Sequence, residues 1–292
     1  MRANKKKMNT EMEVQFHSPP DWSKKRSEEA IKYIFDYENN DWRQEKCKVK
    51  IDEIPFQSGG LRYVFHLQDL SHPEEKWVAK MSQDMKDNLS KDIYFNDVKM
   101  QAIARYFCNG PNGYNSLYCL DIFIIITVII VIIVEQIIWN ILIIDNPPKR
   151  VDFLEANVLQ LVQREGSPLC HMEKFIEGDY RKHNNNSGWV DEDEARSTPQ
   201  AFAHFTYEAS KGKLLVIDIQ GVNDVYTDPQ IHTTENVKSF GKGNLSQKGI
   251  NQFLRTHQCN KICHYLRLEN VSQLPVKIEG TLPASTVIPL LY

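Results

Sequence analysis

Asp218, Gln220 and Asp228 are the residues whose types and spacing could do chemistry. In Val216-Ile217-Asp218-Ile219-Gln220-Gly221 an apolar run abruptly carries an acid and an amide, and Thr227-Asp228-Pro229 adds a second acid nearby. A short buried strand from Leu214 to Ile219 would place Asp218 and Gln220 on one face by period-2 alternation, with Ile217 and Ile219 on the other. Gly221 and Asn223-Asp224 would end it, and the stiff Thr227-Asp228-Pro229 turn can bring Asp228 back towards the first two. Two carboxylates and a carboxamide are hard oxygen donors. They can hold Mg²⁺ while one acid takes a proton from a hydroxyl. A strand end capped by polar residues is the plainer reading of the same span.

Two further constellations follow downstream. Phe240-Gly241-Lys242-Gly243-Asn244-Leu245 is a glycine-rich loop, whose backbone N–H groups can approach phosphate or a peptide closely. It is not a dinucleotide fingerprint, since no strand leads into it and no helix opens on its glycines, and it lacks the Gly-Lys-[Ser/Thr] ending of a Walker loop. His257, Cys259 and Cys263 are spaced so that the two thiols lie one helical turn apart with a histidine just ahead. With His204 as fourth donor they would make a closed tetrahedral Zn²⁺ site, structural rather than catalytic. Two buried thiols beside an unrelated histidine would fit the same spacing.

The elements that must position these groups are short. Thr198 as cap and Pro199 as first residue open a helix that carries His204. Lys76-Trp77-Val78-Ala79-Lys80 reads as a buried strand presenting a lysine, and a solvated surface lysine is its plainer reading. The chain has 292 residues, enough for one two-lobed catalytic domain, and a formal net charge of −3, which gives no basic footprint for nucleic acid. Six cysteines, two of them in the proposed zinc site, do not suggest a disulfide framework. No apolar core follows the basic residues Lys5 to Lys7, so a secretory signal is not expected, and the composition suits a cytoplasmic enzyme.

Taken in order, these elements resemble the alpha-kinases, a family of atypical protein kinases. The resemblance covers roughly residues 20–268 and is densest over 146–268. It rests on Pro147-Pro148-Lys149, Phe175-Ile176-Glu177-Gly178, the Tyr180–Gly188 stretch, the Thr198 helix, Asp218-Ile219-Gln220-Gly221, Thr227-Asp228-Pro229 and the Gly241 loop. The chain looks more like the soluble elongation-factor-2 kinase and myosin heavy chain kinase branch than the channel branch. The resemblance implies an α+β bilobal atypical kinase fold, with a strand-rich lobe over about 45–170 and a zinc-stapled carboxy-terminal lobe over about 171–268.

It also implies roles for named residues. Lys80 and Arg62 would hold ATP phosphates beside a Gly59-Gly60 loop, and Glu173, in Met172-Glu173-Lys174-Phe175, would belong to the segment that binds adenine through backbone bonds. Gly241 and Gly243 would add to the nucleotide site, and Lys182 would be a catalytic-loop lysine. Asp218 would be the base, Gln220 and Asp228 the Mg²⁺ ligands, and His204, His257, Cys259 and Cys263 the Zn²⁺ ligands. The implied activity is ATP-dependent phosphorylation of serine or threonine on a protein substrate, with ATP, Mg²⁺ and structural Zn²⁺ as cofactors.

Departures from the family pattern matter too. Ser246 stands at the last glycine of the loop, Ser239 replaces another glycine, and Asn223 stands where glycine usually follows. Ser246 and the disrupting insertion keep a second reading in view, a catalytically impaired nucleotide-binding scaffold. A zinc-held interaction domain with no nucleotide site is a third, which ATP binding would distinguish. The run Ile122 to Ile144 is long enough to cross a bilayer. It carries Glu135, Gln136 and Asn140, however, and interrupts a single folding unit over about 113–145, so a membrane span is not expected. Its composition resembles translated AT-rich intron sequence. Residues 1–19 read as a disordered tail and 269–292 as a carboxy-terminal tail.

Overall fold

The computed structural model describes residues 18–117, 149–191, 197–234 and 240–271. The apolar run 122–144, the tail before residue 18 and the chain after 271 lie outside these residues, as does Ser239. Among the described residues no helix is long and apolar enough to cross a membrane.

The amino-terminal lobe is one curled antiparallel sheet. β1 (Glu28–Asp36) and β2 (Asp41–Ile51) form a long hairpin, and β3 (Gln57–Ser58), β4 (Arg62–Asp69) and β5 (Trp77–Ser82) follow. After α1 (Lys91–Asn109) and the two-residue β6 (Asp152–Phe153) come β7 (Ala156–Gln160) and β8 (Leu169–Lys174). The sheet order is β2-β1-β7-β8-β5-β4-β3, and it bends until the end of β2 pairs with β4 through Val49↔Asp69 and Ile51↔Leu67. Pairing β2 with β4 covers edges that would otherwise be open. Alternate residues face inward, so Ala30, Val49, Leu67, Ala79, Leu159 and Met172 make a dry interior.

α1 lies against the outer face. Tyr94 and Val98 pack on Val158 and Leu169, while Met100, Ile103, Ala104 and Phe107 enter the core of the second lobe. The helix therefore belongs to both lobes. Directly after it Tyr114 is fully buried against Phe202 and Phe205, and the Asn115 side chain clamps Val151, donating to its carbonyl at 2.7 Å and accepting from its N–H at 3.1 Å. Residues 113–117, assigned from sequence to the start of the insertion, are thus packed parts of the fold.

The carboxy-terminal lobe adds β9 (Tyr180–Lys182), α2 (Ser197–Ala209), β10 (Leu214–Ile217), β11 (Gln220–Val222), β12 (Val225–Thr227) and β13 (Gln230–Thr233). It ends with α3 (Ser246–Thr256) and α4 (Lys261–Tyr265). α2 is the expected helix except at its start: Ser197 and Thr198 already belong to it, so Thr198 is not its cap, and its residues from Thr198 to Tyr207 are all buried, as suits the central helix of a lobe. Two small sheets accompany it: β10-β13, which packs against α2 through β10, and β6-β12-β11-β9.

Candidate active site

The two acids sit where one long hairpin changes sheets. Ile217↔Gln230 closes the β10–β13 ladder and Gln220↔Thr227 opens the β11–β12 ladder, so Asp218 and Asp228 lie on opposite sides of the gap between them. Both adopt left-handed backbone, with φ of 60° and 51°, conformations that aspartate tolerates better than most residues. This corrects the expectation of an unbroken strand from Leu214 to Ile219. The strand stops at Ile217, and the reversal at Asp218, rather than alternation, turns its carboxylate outward. Asn223, with φ of 54°, makes the tight turn that returns the chain from β11 to β12.

A cleft of about 450 Å³ lies between the lobes. Gly59, Gly60, Arg62, Lys80 and Glu173 line it from the amino-terminal lobe, and Lys182, Asp218, Gln220 and Asp228 from the other. Lys80, on β5, is buried and pairs with Glu173, with Asp228 at 2.7 Å, and with the Thr227 hydroxyl at 3.1 Å. Arg62 pairs with Asp97 of α1, reaches His171 Nδ1 at 2.5 Å and approaches Asp228 at 3.7 Å. Burial works to raise the Asp228 pKa, but the Lys80 ammonium and the Arg62 guanidinium outweigh it and bring the carboxyl down to about 2. Burial likewise works to lower Lys80, and Asp228 and Glu173 reverse it, so its pKa rises. His171, buried beside the Arg62 cation, is held well below the usual histidine range.

Across the cleft Lys182 Nζ stands 2.6 Å from Asp218, a contact fixed by the Gln220↔Lys182 pairing of β11 with β9. Burial pushes the Asp218 pKa up and Lys182 opposes the rise. Gln220 donates to the Asp218 carboxylate at 3.4 Å and to the Asp228 carbonyl at 3.2 Å, so its amide oxygen is the atom left for a ligand.

Two findings differ from the sequence reading. Glu173 presents its side chain to Lys80 and Thr227 while its backbone lies between two paired strands, so the group it brings to the cleft is a carboxylate. Gly241 and Gly243 are not among the residues lining the cleft: Gly243 packs under Gln230, whose amide occupies the place a Cβ would take, and its carbonyl accepts from Asn186. Ser246 has φ of 53°, the left-handed conformation that glycine would adopt freely. Asp97, Gln101 and His171, which sequence does not single out, complete the polar network with Thr227, whose hydroxyl contacts go beyond its expected place in the turn. The only local signal was two polar residues one turn apart, Asp97 and Gln101, beside an apolar helix stripe.

The second constellation lies within the carboxy-terminal lobe. His204 on α2, His257 at the end of α3, and Cys259 and Cys263 place their donor atoms within 4.8 Å of one another. Cys259 Sγ is 3.8 Å from His204 Nδ1, and Cys263 Sγ is 3.6 Å from His257 Nε2. The cysteines do not share a helical face as expected. Cys259 precedes α4, and the side chain of Asn260, capping that helix through Ile262 and Cys263 N–H, turns the chain so that the sulfurs converge. Donors around one tetrahedral ion would sit on the order of 3.3–3.8 Å apart, so the cluster fits such an ion after slight contraction. His204 Nε2, on the other side of the ring, lies 3.0 Å from a Glu208 carboxylate oxygen.

The Alpha-kinase family pattern matches residues 57–263. Alpha-protein kinase 1 of Dictyostelium discoideum is 41% identical over 90% of this chain and 17% of its own length. Myosin heavy chain kinase B of the same organism is 41% identical over 90% of this chain and 32% of its own, and human Eukaryotic elongation factor 2 kinase is 34% identical over 86% and 32%. The chain thus spans less than a third of the length of these relatives. The crystal structure of the alpha-kinase domain of myosin heavy chain kinase A in complex with AMP superposes with a TM-score of 0.67 at 33% identity, covering 84% of this chain and all of that one. The same domain with ADP gives a TM-score of 0.67. By pattern, sequence and fold together, this chain belongs to the alpha-kinase family.

Proposed function

We propose that the chain is a catalytic domain that transfers the γ-phosphoryl group of ATP to a serine or threonine hydroxyl of a protein. One observation carries the reading: Lys80 and Arg62 from one lobe, and Lys182, Asp218, Gln220 and Asp228 from the other, open onto a single cleft. The triphosphate would lie against Lys80, Arg62 and the Gly59-Gly60 turn, and its oxygens would replace Asp228 as partner of the two cations. Asp228 and the Gln220 amide oxygen, both oxygen donors, would then be free to hold Mg²⁺. That ion, when bound, neutralises charge on the phosphate oxygens. Asp218 would accept the proton of the substrate hydroxyl as its oxygen bonds to the γ-phosphorus and the bond to the ADP oxygen breaks. A raised pKa suits that task near neutral pH. Lys182 would steady the Asp218 carboxylate.

His204, His257, Cys259 and Cys263 would hold a structural Zn²⁺. The donor set of two imidazoles and two thiols leaves no position open to substrate. Burial pushes the Cys263 thiol up to about 12, and a bound cation would reverse that by favouring the thiolate.

The scaffold reading draws on the left-handed Ser246. Against it, the Ser246 N–H still donates to Asn244 at 2.8 Å, so the turn closes without glycine, and the charged groups of the cleft are all present. Labelled ATP with Mg²⁺ decides between them, with myosin heavy chain and elongation factor 2, for which the relatives are named, as first acceptors. Transfer is expected, and Asp218→Ala should slow it about 10²–10⁴-fold with ATP still bound. ATP binding with no transfer to any acceptor would favour the scaffold.

A further inference from the structure

We propose that Gln101 is a positioning residue for the metal site: its amide, delivered by α1, fixes the Asp228 backbone and orients Glu173 towards Lys80. The inference rests on the kinase reading of the cleft. Gln101 is 3% exposed and uses its whole amide. Nε2 donates to the Leu154 carbonyl at 2.8 Å and to Glu173 at 3.2 Å, while Oε1 accepts from the Asp228 N–H at 3.0 Å and lies 3.5 Å from the Thr227 hydroxyl. A backbone N–H can only donate and a carbonyl can only accept, so the amide has one orientation.

Two of these partners carry the functional meaning. Asp228 holds a left-handed backbone, which costs energy unless the surroundings pin it, and its N–H is pinned by Gln101. Glu173 receives Gln101 Nε2 and the Thr227 hydroxyl on one oxygen, which leaves the other oxygen to face Lys80. In the common protein-kinase arrangement a helix supplies the acid that pairs with the strand lysine. Here that acid stands on β8, and the helix supplies an amide that orients it. One turn earlier on the same helix Asp97 pairs with Arg62. α1 therefore sets both cations and the metal-binding acid from one face, and a glutamine that merely satisfied Leu154 would need none of the other contacts.

The test uses Mn²⁺ as a paramagnetic probe, titrated into the whole chain in the presence of a non-hydrolysable ATP analogue. Gln101→Met, close in size but without donor or acceptor, should weaken Mn²⁺ binding about 10–100-fold and raise the Mg²⁺ needed for half-maximal rate in proportion. Analogue affinity without metal should fall less than Mn²⁺ affinity, because Lys80 and Arg62 are both still present. Gln101→Glu would set a carboxylate against Glu173 and the Leu154 carbonyl, so the control is Ile103→Ala on the same helix, which opens the buried core without touching this network: it should lower stability yet leave Mn²⁺ affinity near wild type, a split that general destabilisation of the fold would not give. Wild-type Mn²⁺ affinity in a folded Gln101→Met chain, or equal losses in both variants, would overturn the inference. A wild-type chain that binds neither analogue nor Mn²⁺ would remove the kinase reading itself, and the inference with it.

Discussion

The cleft and the His/Cys cluster both draw on segments far apart in sequence, yet their electrostatics are opposite. In the cleft, charges are present and already paired: Lys80 between Glu173 and Asp228, Arg62 between Asp97 and Asp228. In the cluster, burial holds the imidazoles neutral, His204 down to about 4 and, with His204 beside it, His257 to about 3. Four lone-pair donors point at one centre with no cation among them. The paired network is satisfied by protein groups and can trade partners when a charged ligand arrives. The neutral cluster is held by two long thiol–imidazole contacts, which a cation would replace on the proposed zinc reading. On that reading one arrangement suits exchange and turnover, the other a permanent staple.

That contrast breaks most sharply by crossing two variants. Cys263→Ser should lose bound zinc, measured by elemental analysis, and lower the melting temperature on the order of 10 °C, because metal binding in such sites is folding energy. Asp228→Asn should keep its zinc and most of its stability while losing phosphoryl transfer. A Cys263→Ser chain with undiminished stability would erase the distinction. A smaller effect concerns His232, which joins the two loops flanking the site by accepting from Leu245 N–H and donating to the Asn186 carbonyl. Burial lowers its pKa from 6.5 to about 4. The unfolded chain therefore binds the proton first, so this contribution is fully present above about pH 6.5 and declines towards pH 4, by roughly 1 kcal/mol per pH unit. His232→Gln, which keeps a donor and an acceptor, should flatten the wild-type fall in melting temperature between pH 6.5 and 4.5. The smallest effect is at Ser246. Ser246→Gly relieves left-handed strain of about 1 kcal/mol and should raise melting by about 2–4 °C. No gain would mean that the Asn244 contact already offsets the strain.

Much of the site was legible because its chemistry is written in short strings. Asp218, Gln220 and Asp228 lie within one hairpin, and turn residues alone suggested that the second acid returns to the first. The apolar residues beside Lys80 favoured burial of its stem, but a solvated lysine was the plainer reading there and its role came from the family resemblance. What escaped depended on backbone reversal or distant packing. Alternation cannot reveal that Asp218 goes left-handed, since aspartate leaves that choice to its surroundings. Cys259 and Cys263 invited a helical reading because the spacing fits one, whereas the Asn260 cap starts the helix between them. Gln101 gave the least sign, for its meaning comes from Asp228, Glu173 and Leu154, none of which is its neighbour in sequence. The fold class was accessible through resemblance to a family more than through periodicity, because a curled sheet of short strands gives no long repeating signal.

The clamp between Asn115 and Val151 has a genetic consequence. It joins the chain just before residue 118 to the chain just after 148, so whatever is encoded between them leaves from and returns to one fixed point. For any flexible connection between two held ends, closure costs only about 0.6 kcal/mol more for each doubling of its length. Codons for a flexible segment could therefore enter or leave the reading frame at such a junction with little thermodynamic penalty from chain length, and natural selection acting on stability would be slow to notice how many are there.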